Sequence, residues 1–274
     1  MLIDTHCHLD AAAFDADRNA VIARARAAGV RAIVIPAVGV CNFDTVRTLA
    51  HALPEGAYAL GLHPLWAPRT GAQDLAQLRS AVEAVLEDPR FVGIGEIGLD
   101  LFVPALRSPA MQAHQERLFQ AQLDLAHEHD LPVILHVRRA QDRILKYLRR
   151  RPGLRGIAHA FNGSEQQAAA FIGQGFMLGA GGAMTFARAR RIRRLVQTIG
   201  LEHWVLETDA PDIPPAWLHP VKGQAGQAAR NEPAEVAGIA RCLAELKDMP
   251  MAEVLSATAA NARCALPRLA ALFP

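Results

Sequence analysis

Met1-Leu2-Ile3-Asp4-Thr5-His6-Cys7-His8 opens the chain: a short apolar run that ends in two histidines one residue apart. In an extended strand, residues i and i+2 share a face. His6 and His8 therefore project together, and Cys7 points the other way. Two imidazoles side by side at the end of a buried strand supply half of a metal site, because neutral imidazole ligates borderline divalent ions. Two core histidines with ordinary hydrogen-bond partners explain an isolated His-X-His about as well. What separates the two readings is whether comparable residues end later strands.

Seven further apolar runs follow: Ala32-Pro36, Tyr58-Leu62, Val92-Glu96, Val133-His136, Gly156-His159, Phe176-Gly179 and Trp204-Glu207. With Leu2-His6 they make eight strands, separated by stretches rich in Ala, Leu and Arg. Alternation of this kind predicts a parallel sheet. Eight units in a chain of 274 residues are the number a closed (β/α)8 TIM barrel needs. The expectation is one barrel domain over residues 1–274. Helices are expected over Asp15-Ala28, stopping at Gly29, over Ala110-His129, and over Glu165-Ile172 behind a Ser164/Gln167 capping box. Two more, Pro233-Leu246 and Met251-Arg263, close the chain. The longest irregular stretch is Ala210-Arg230, after the last strand, where a loop would reach the face on which barrel enzymes build their sites.

Composition excludes several classes. A net charge of +2 is too small to imply a nucleic-acid partner by itself. The four cysteines (Cys7, Cys41, Cys242 and Cys264) form no CxxC pair and suggest no disulfide framework. No apolar stretch approaches the roughly 20 residues needed to cross a bilayer. The opening strand already carries candidate ligands and lacks a leader pattern. A soluble, cytoplasmic protein is expected, and the modest charge allows a monomer.

The strand ends carry the chemistry. They read His6-Cys7-His8, Gly61-Leu62-His63-Pro64, Gly95-Glu96-Ile97-Gly98-Leu99-Asp100, Leu135-His136-Val137-Arg138, His159-Ala160-Phe161-Asn162 and Glu207-Thr208-Asp209-Ala210-Pro211. In a barrel these would converge on one mouth. Charges buried there without partners are costly, and bound cations offset that cost. The donors are nitrogen and oxygen only, which points to Zn²⁺, Mn²⁺ or Mg²⁺. Six ligands exceed what one tetrahedral ion needs, so two divalent metal ions are expected. His6, His8, Glu96 and Asp209 would hold one; Glu96, His136 and His159 would hold the other, with Glu96 bridging. Such a pair can clamp the attacking and leaving oxygens of a phosphodiester and generate hydroxide near neutral pH. Asp209 would orient that water and take its proton.

Neighbouring residues receive lesser roles. Asp100 would hold a ligating imidazole in its tautomer, or cap the following segment. His63, kept extended by Pro64, and Arg138, on the face of His136, would meet a substrate phosphate. Glu207 would face inward with Asp209. His51, His114, His127, His129, His203 and His219 lack the strand-end context and read as surface or capping residues. The runs Arg149-Arg151 and Arg188-Arg194 read as solvated helix faces, the second beginning at the rim of the mouth. Phe102, Phe161 and Trp217 are stacking candidates that packing explains equally well.

Taken in order, these segments, with Ile3-Asp10, Leu131-His136 and Arg230-Asn231-Glu232-Pro233, resemble the TatD-type metal-dependent deoxyribonucleases, within the amidohydrolase-like hydrolases. The resemblance spans essentially the whole chain. It implies a TIM barrel, a divalent-metal site at His6, His8, Glu96, His136, His159 and Asp209, and hydrolysis of nucleic acid, often from the 3′ end of single-stranded DNA. The chain departs from the family pattern in a longer Pro211-Arg230 stretch, in Leu101-Phe102 after Asp100, and in Asn162. The alternative is a small-molecule amidohydrolase, lactonase or phosphoesterase using the same ions, since fold and metals serve many chemistries. Glu96, rather than a lysine, on strand four leans away from barrels bridged by a carboxylated lysine.

Overall fold

A computed structural model of the chain describes residues 1–220 and 229–273. Its strands are β1 (Leu2–Asp4), β2 (Val30–Pro36), β3 (Gly56–Leu60), β4 (Phe91–Asp100), β5 (Val133–Arg138), β6 (Gly156–Ala158), β7 (Phe176–Ala180) and β8 (Trp204–Leu206). Each pairs in parallel with the next. The sheet closes on itself, because Thr5 donates its N–H and its hydroxyl to the Leu206 carbonyl at 3.0 and 2.9 Å and Cys7 bridges Ala210 in parallel. The fold is the expected (β/α)8 TIM barrel.

The helices are α1 (Arg18–Ala27), α2 (Phe43–Ala52), α3 (Ala72–Ala84), α4 (Pro109–Glu128), α5 (Gln141–Leu148), α6 (Glu165–Gly173), α7 (Arg190–Thr198), α8 (Val236–Lys247), α9 (Met251–Ala265) and α10 (Arg268–Leu272). The Ser164/Gln167 capping box forms as expected, with Gln167 N–H on Ser164 Oγ at 3.1 Å and Ser164 N–H on Gln167 Oε1 at 3.0 Å. Helix α1 starts three residues later than its composition suggests. Residues 12–14 form a 3₁₀ turn, and the Asp17 carboxylate is held by Arg230 at 2.8 Å instead of capping the helix. Of the irregular stretch Ala210-Arg230, residues 221–228 lie outside the described residues.

Two apolar layers build the molecule. The outer faces of the strands pack under the helices through residues such as Leu60, Leu99, Phe119, Leu135 and Leu243. The inner faces alternate with them: Ile3, Val34, Ala59, Val92, Ile134, Ile157 and Val205 form a second cluster, continuous with Ala262 of α9 and Leu269 of α10. Among the described residues, none of the buried charged groups belongs to this inner layer. The buried charged groups Asp4, His6, His63, Asp100, His159 and Glu207 sit at or just past the C-terminal ends of strands, and Glu96 lies within the long β4, beyond the last pair that β3 makes with it.

Candidate metal centre

The seam that closes the barrel also brings the first and last strand ends together. Asp209 N–H donates to the His6 carbonyl and His8 N–H to the Ala210 carbonyl, both at 2.8 Å. Behind the seam lies Asp4, fully buried, whose carboxylate accepts from Thr208 Oγ1 (2.6 Å), Thr208 N–H (2.9 Å) and His6 N–H (3.3 Å). Asn231 clamps the same loop from outside, donating to the carbonyls of Thr208 (2.8 Å) and Asp212 (2.7 Å). Asp209 itself has φ +57°. Residues 207 and 209 share a face by ordinary strand alternation, and the left-handed residue turns the chain out of the strand there.

Glu96 reaches it by another device. Pairing of β4 with β5 is regular up to Ile94↔Val133 and resumes at Ile97↔Leu135, so β4 has one extra residue between these pairs. Such a bulge re-aims side chains and is common beside active sites. Past it, Gly98 sits at φ +150° against the His136 carbonyl, where a Cβ would clash with backbone. Helix α4 then satisfies the strand ends. Gln122 accepts from Leu62 N–H (2.7 Å) and donates to its carbonyl (3.2 Å), while Gln115 accepts from Asp100 N–H (2.9 Å). These two buried amides were not singled out by sequence reading. Their seven-residue spacing on one helix face was the available signal.

Four donor atoms converge at the seam. His6 Nε2 lies 3.3 Å from His8 Nε2, 3.1 Å from Glu96 Oε2 and 3.5 Å from Asp209 Oδ1. His8 Nε2 lies 3.3 Å from Glu96 Oε2 and 3.7 Å from Asp209 Oδ1. Donors bound to one cation at about 2.0–2.1 Å in a tetrahedron stand about 3.4 Å apart. The spacing fits that cage. The other oxygen of Glu96 faces a second group: Oε1 lies 2.8 Å from His136 Nδ1, 3.2 Å from His63 Nε2 and 3.5 Å from His159 Nε2. One carboxylate thus divides its two oxygens between two sets of imidazoles. His6 Nδ1 and Glu207 Oε2 are buried without any hydrogen-bond partner.

Tautomers follow from the outer contacts. His136 Nε2 lies 3.2 Å from Asp100 Oδ2, so its proton belongs there and the Nδ1 lone pair faces Glu96. His63 Nδ1 accepts from Leu65 N–H at 3.1 Å, so its proton sits on Nε2. His63 therefore presents a donor, not a lone pair, to Glu96. Sequence reading placed it against substrate; the fold brings it against the carboxylate first.

Electrostatics match a cation site. Burial opposes ionisation of Glu96, yet the surrounding histidines hold its carboxyl well below the usual range. Burial lowers His8 and His159, but Glu96 and Asp209 outweigh it for His8, raised to about 9, and Asp209 and Glu207 for His159, raised to about 10. Burial leaves His6 well below its ordinary value, and it raises the Asp209 carboxyl to about 6. The carboxylates demand positive charge, which protons supply in the protein alone. Three groups, His6/His8/Asp209, His6/Glu96/His159 and His63/Glu96/His136, each have the reach to hold an ion.

The remaining candidates separate. Arg138 and Phe102 line the open cleft above this centre, a space of about 1240 Å³. Phe161 is buried against Phe171 and is core. Trp217 is exposed, but its indole donates to Glu235 at 2.6 Å. In the first basic run Arg151 pairs with Asp124; in the second Arg194 pairs with Glu165, while Arg191 lines the cleft. His51 and His114 hydrogen-bond Asp88 and two backbone carbonyls, away from the centre.

Residues 3–266 match the model of the TatD related DNase family. The chain belongs to that family. It is 39% identical over 260 residues to the uncharacterized metal-dependent hydrolase YjjV of Escherichia coli K12, covering 94% of this chain and 95% of that one. The crystal structure of YjjV superposes with a TM-score of 0.86 at 38% identity, over 97% of this chain and 98% of that chain. The 3′-5′ ssDNA/RNA exonuclease TatD of Salmonella typhimurium is 32% identical over 271 residues, 96% of this chain and 97% of its own length.

Proposed function

We propose that this member of the TatD family is a divalent-metal-dependent phosphodiesterase that degrades single-stranded DNA from its 3′ end. The observation that carries the reading is Glu96, whose two oxygens face two separate sets of imidazoles 2.8–3.5 Å away. That arrangement supports two ions, of Mg²⁺, Mn²⁺ or Zn²⁺, with Glu96 between them. His6, His8, Glu96 and Asp209 would hold the first, and Glu96, His136 and His159 the second. Bound divalent ions there supply charge neutralisation at phosphate and a lowered pKa for water.

The protein's own groups do the rest. Asp209 lines the cleft and keeps 14% of its side chain exposed; its carboxylate orients the attacking water and accepts its proton. Asp100 fixes the His136 ring, and His63 donates from Nε2 to Glu96, fixing the carboxylate between the two sets. Arg138, half exposed at the mouth, offers its planar fork to a phosphate. The 3′ polarity and the single-stranded substrate are carried over from the exonuclease relative. The chain alone supplies every group used, which supports action as a monomer. No described helix is long and apolar enough to cross a membrane. Four free cysteines suit a reducing compartment, the cytoplasm.

End-labelled single-stranded DNA with Mg²⁺ or Mn²⁺ tests this. A 5′ label should yield a ladder shortening from the 3′ end. Chelation should stop it and added metal restore it. Asp209→Ala should lower the rate by about 10²–10⁴. Full activity in that variant, or turnover of lactones and cyclic amides without any DNA cleavage, would refute the reading.

A further inference from the structure

Phe102 is a large apolar side chain left 37% exposed at the mouth of the cleft. Three guanidiniums gather on it, with Arg138 at 4.1 Å, Arg139 at 4.7 Å and Arg107 at 5.9 Å from the ring centroid. Arg138 and Arg139 are consecutive, and consecutive strand residues ordinarily point to opposite faces. They share one ring because Arg139 has φ +56°, an uncommon conformation for a residue with a Cβ. Arg107 is tied to the same loop by donating to the Phe102 carbonyl.

We propose that Phe102, Arg107 and Arg139 form a subsite gripping the phosphodiester backbone of a single strand beyond the bond being cleaved. This deepens the nuclease reading and rests on it only for what is cut. A guanidinium stacked on an aromatic face keeps its N–H donors free at the edge, so the ring orders the cations without consuming their hydrogen bonds. Among the described residues neither Arg107 nor Arg139 pairs with a carboxylate, and Arg138 meets only Asp100, at 3.8 Å. Some arginines elsewhere do pair, such as Arg151 with Asp124 and Arg155 with Asp130; what sets this group apart is that its guanidiniums gather on one exposed ring. Like charges assembled without counter-ions repel, and a polyanion relieves that. The cleft, about 1240 Å³, exceeds the roughly 300–1,000 Å³ of small-molecule sites, and the two forks, with Arg138 beside them, offer more donors than one phosphate accepts. The subsite is also wired to the metal centre. Asp100 Oδ1 accepts from Phe102 N–H (2.7 Å) and Val103 N–H (2.9 Å), while its Oδ2 faces His136.

Fluorescence anisotropy of a labelled thymidine dodecanucleotide with the metal-free full chain, across a salt series, tests it. Arg107→Ala and Arg139→Ala should each weaken binding several-fold and flatten the log Kd against log salt slope by about 0.7. Phe102→Ala, which frees the guanidiniums from a common face, should weaken binding several-fold, and Phe102→Trp, which keeps an aromatic face for them, should bind like wild type. An Arg107→Ala/Arg139→Ala double variant that binds with wild-type affinity and slope overturns the proposal, as does a wild-type chain that does not bind the strand. Wild-type protein that binds the strand in this manner yet never cleaves it when loaded with metal would refute the nuclease reading and uphold the subsite.

Discussion

Asp100 ties three things together with two oxygens: the His136 ring and the N–H groups of Phe102 and Val103. Burial raises its carboxyl, but His136 and those N–H groups outweigh this and hold it down to about 2. These contacts suit a positioning residue. Asp100→Asn keeps the shape and loses the charge-assisted hold on the imidazole, so divalent-metal affinity should fall about 10–100-fold. Calorimetric titration with Mn²⁺ checks this; unchanged affinity would remove Asp100 from the account. A second residue tests electrostatics far from the site. Asp88 is pushed up by burial but held below the usual range by His51, Arg90 N–H and the Tyr58 hydroxyl. A depressed folded pKa means that its stabilisation is complete above the unfolded value of about 3.9 and is lost as pH falls through the folded value. Asp88→Asn should therefore be less stable than wild type at neutral pH, with the gap closing below about pH 4. Urea midpoints across pH measure it, and a gap independent of pH would contradict it.

At the scale of elements, helix α4 acts as a clamp. Gln122 closes both backbone groups of Leu62, just before His63, and Gln115 holds Asp100 N–H. Gln122→Leu would leave a buried donor and a buried acceptor unpaired, at about 1–3 kcal/mol each and so about 2–6 kcal/mol together. Urea unfolding should show a loss within that range; a neutral result would mean the strand end finds other partners. This clamp marks a boundary of what sequence can tell. The eight apolar runs ending in polar residues were legible because strands buried on both faces need them. The inward turn of Asp209 was legible, since it follows Glu207 by two residues. That of Glu96 was legible only in outcome, because the extra residue in β4 is nothing that a simple alternation of faces contains. The Phe102 cluster was half visible: the ring was noted, but Arg139 joins it through one left-handed residue. Gln115 and Gln122 look like solvent-facing helix residues until the strand ends beneath them are known.

At the scale of the whole molecule, the barrel separates an apolar interior from a charged mouth. Ile3, Val34, Ile134 and Val205 fill the inside, and among the described residues the buried charge collects towards the C-terminal side of the strands. Closing β8 on β1 makes one chain segment serve both stability and site, since the hydrogen bonds Asp209 N–H to His6 and His8 N–H to Ala210 are the seam itself. Ions bound across that seam would bind the folded chain alone and stabilise it by mass action, about 2.7 kcal/mol at a hundredfold excess over Kd. The most direct test of the central claim is the metal content of the reconstituted protein, measured by plasma mass spectrometry after removal of excess ion. The account expects two divalent ions per wild-type chain and a loss of both, or nearly so, in Glu96→Ala. A wild-type chain that retains none, or a Glu96→Ala chain that still retains two, would contradict it.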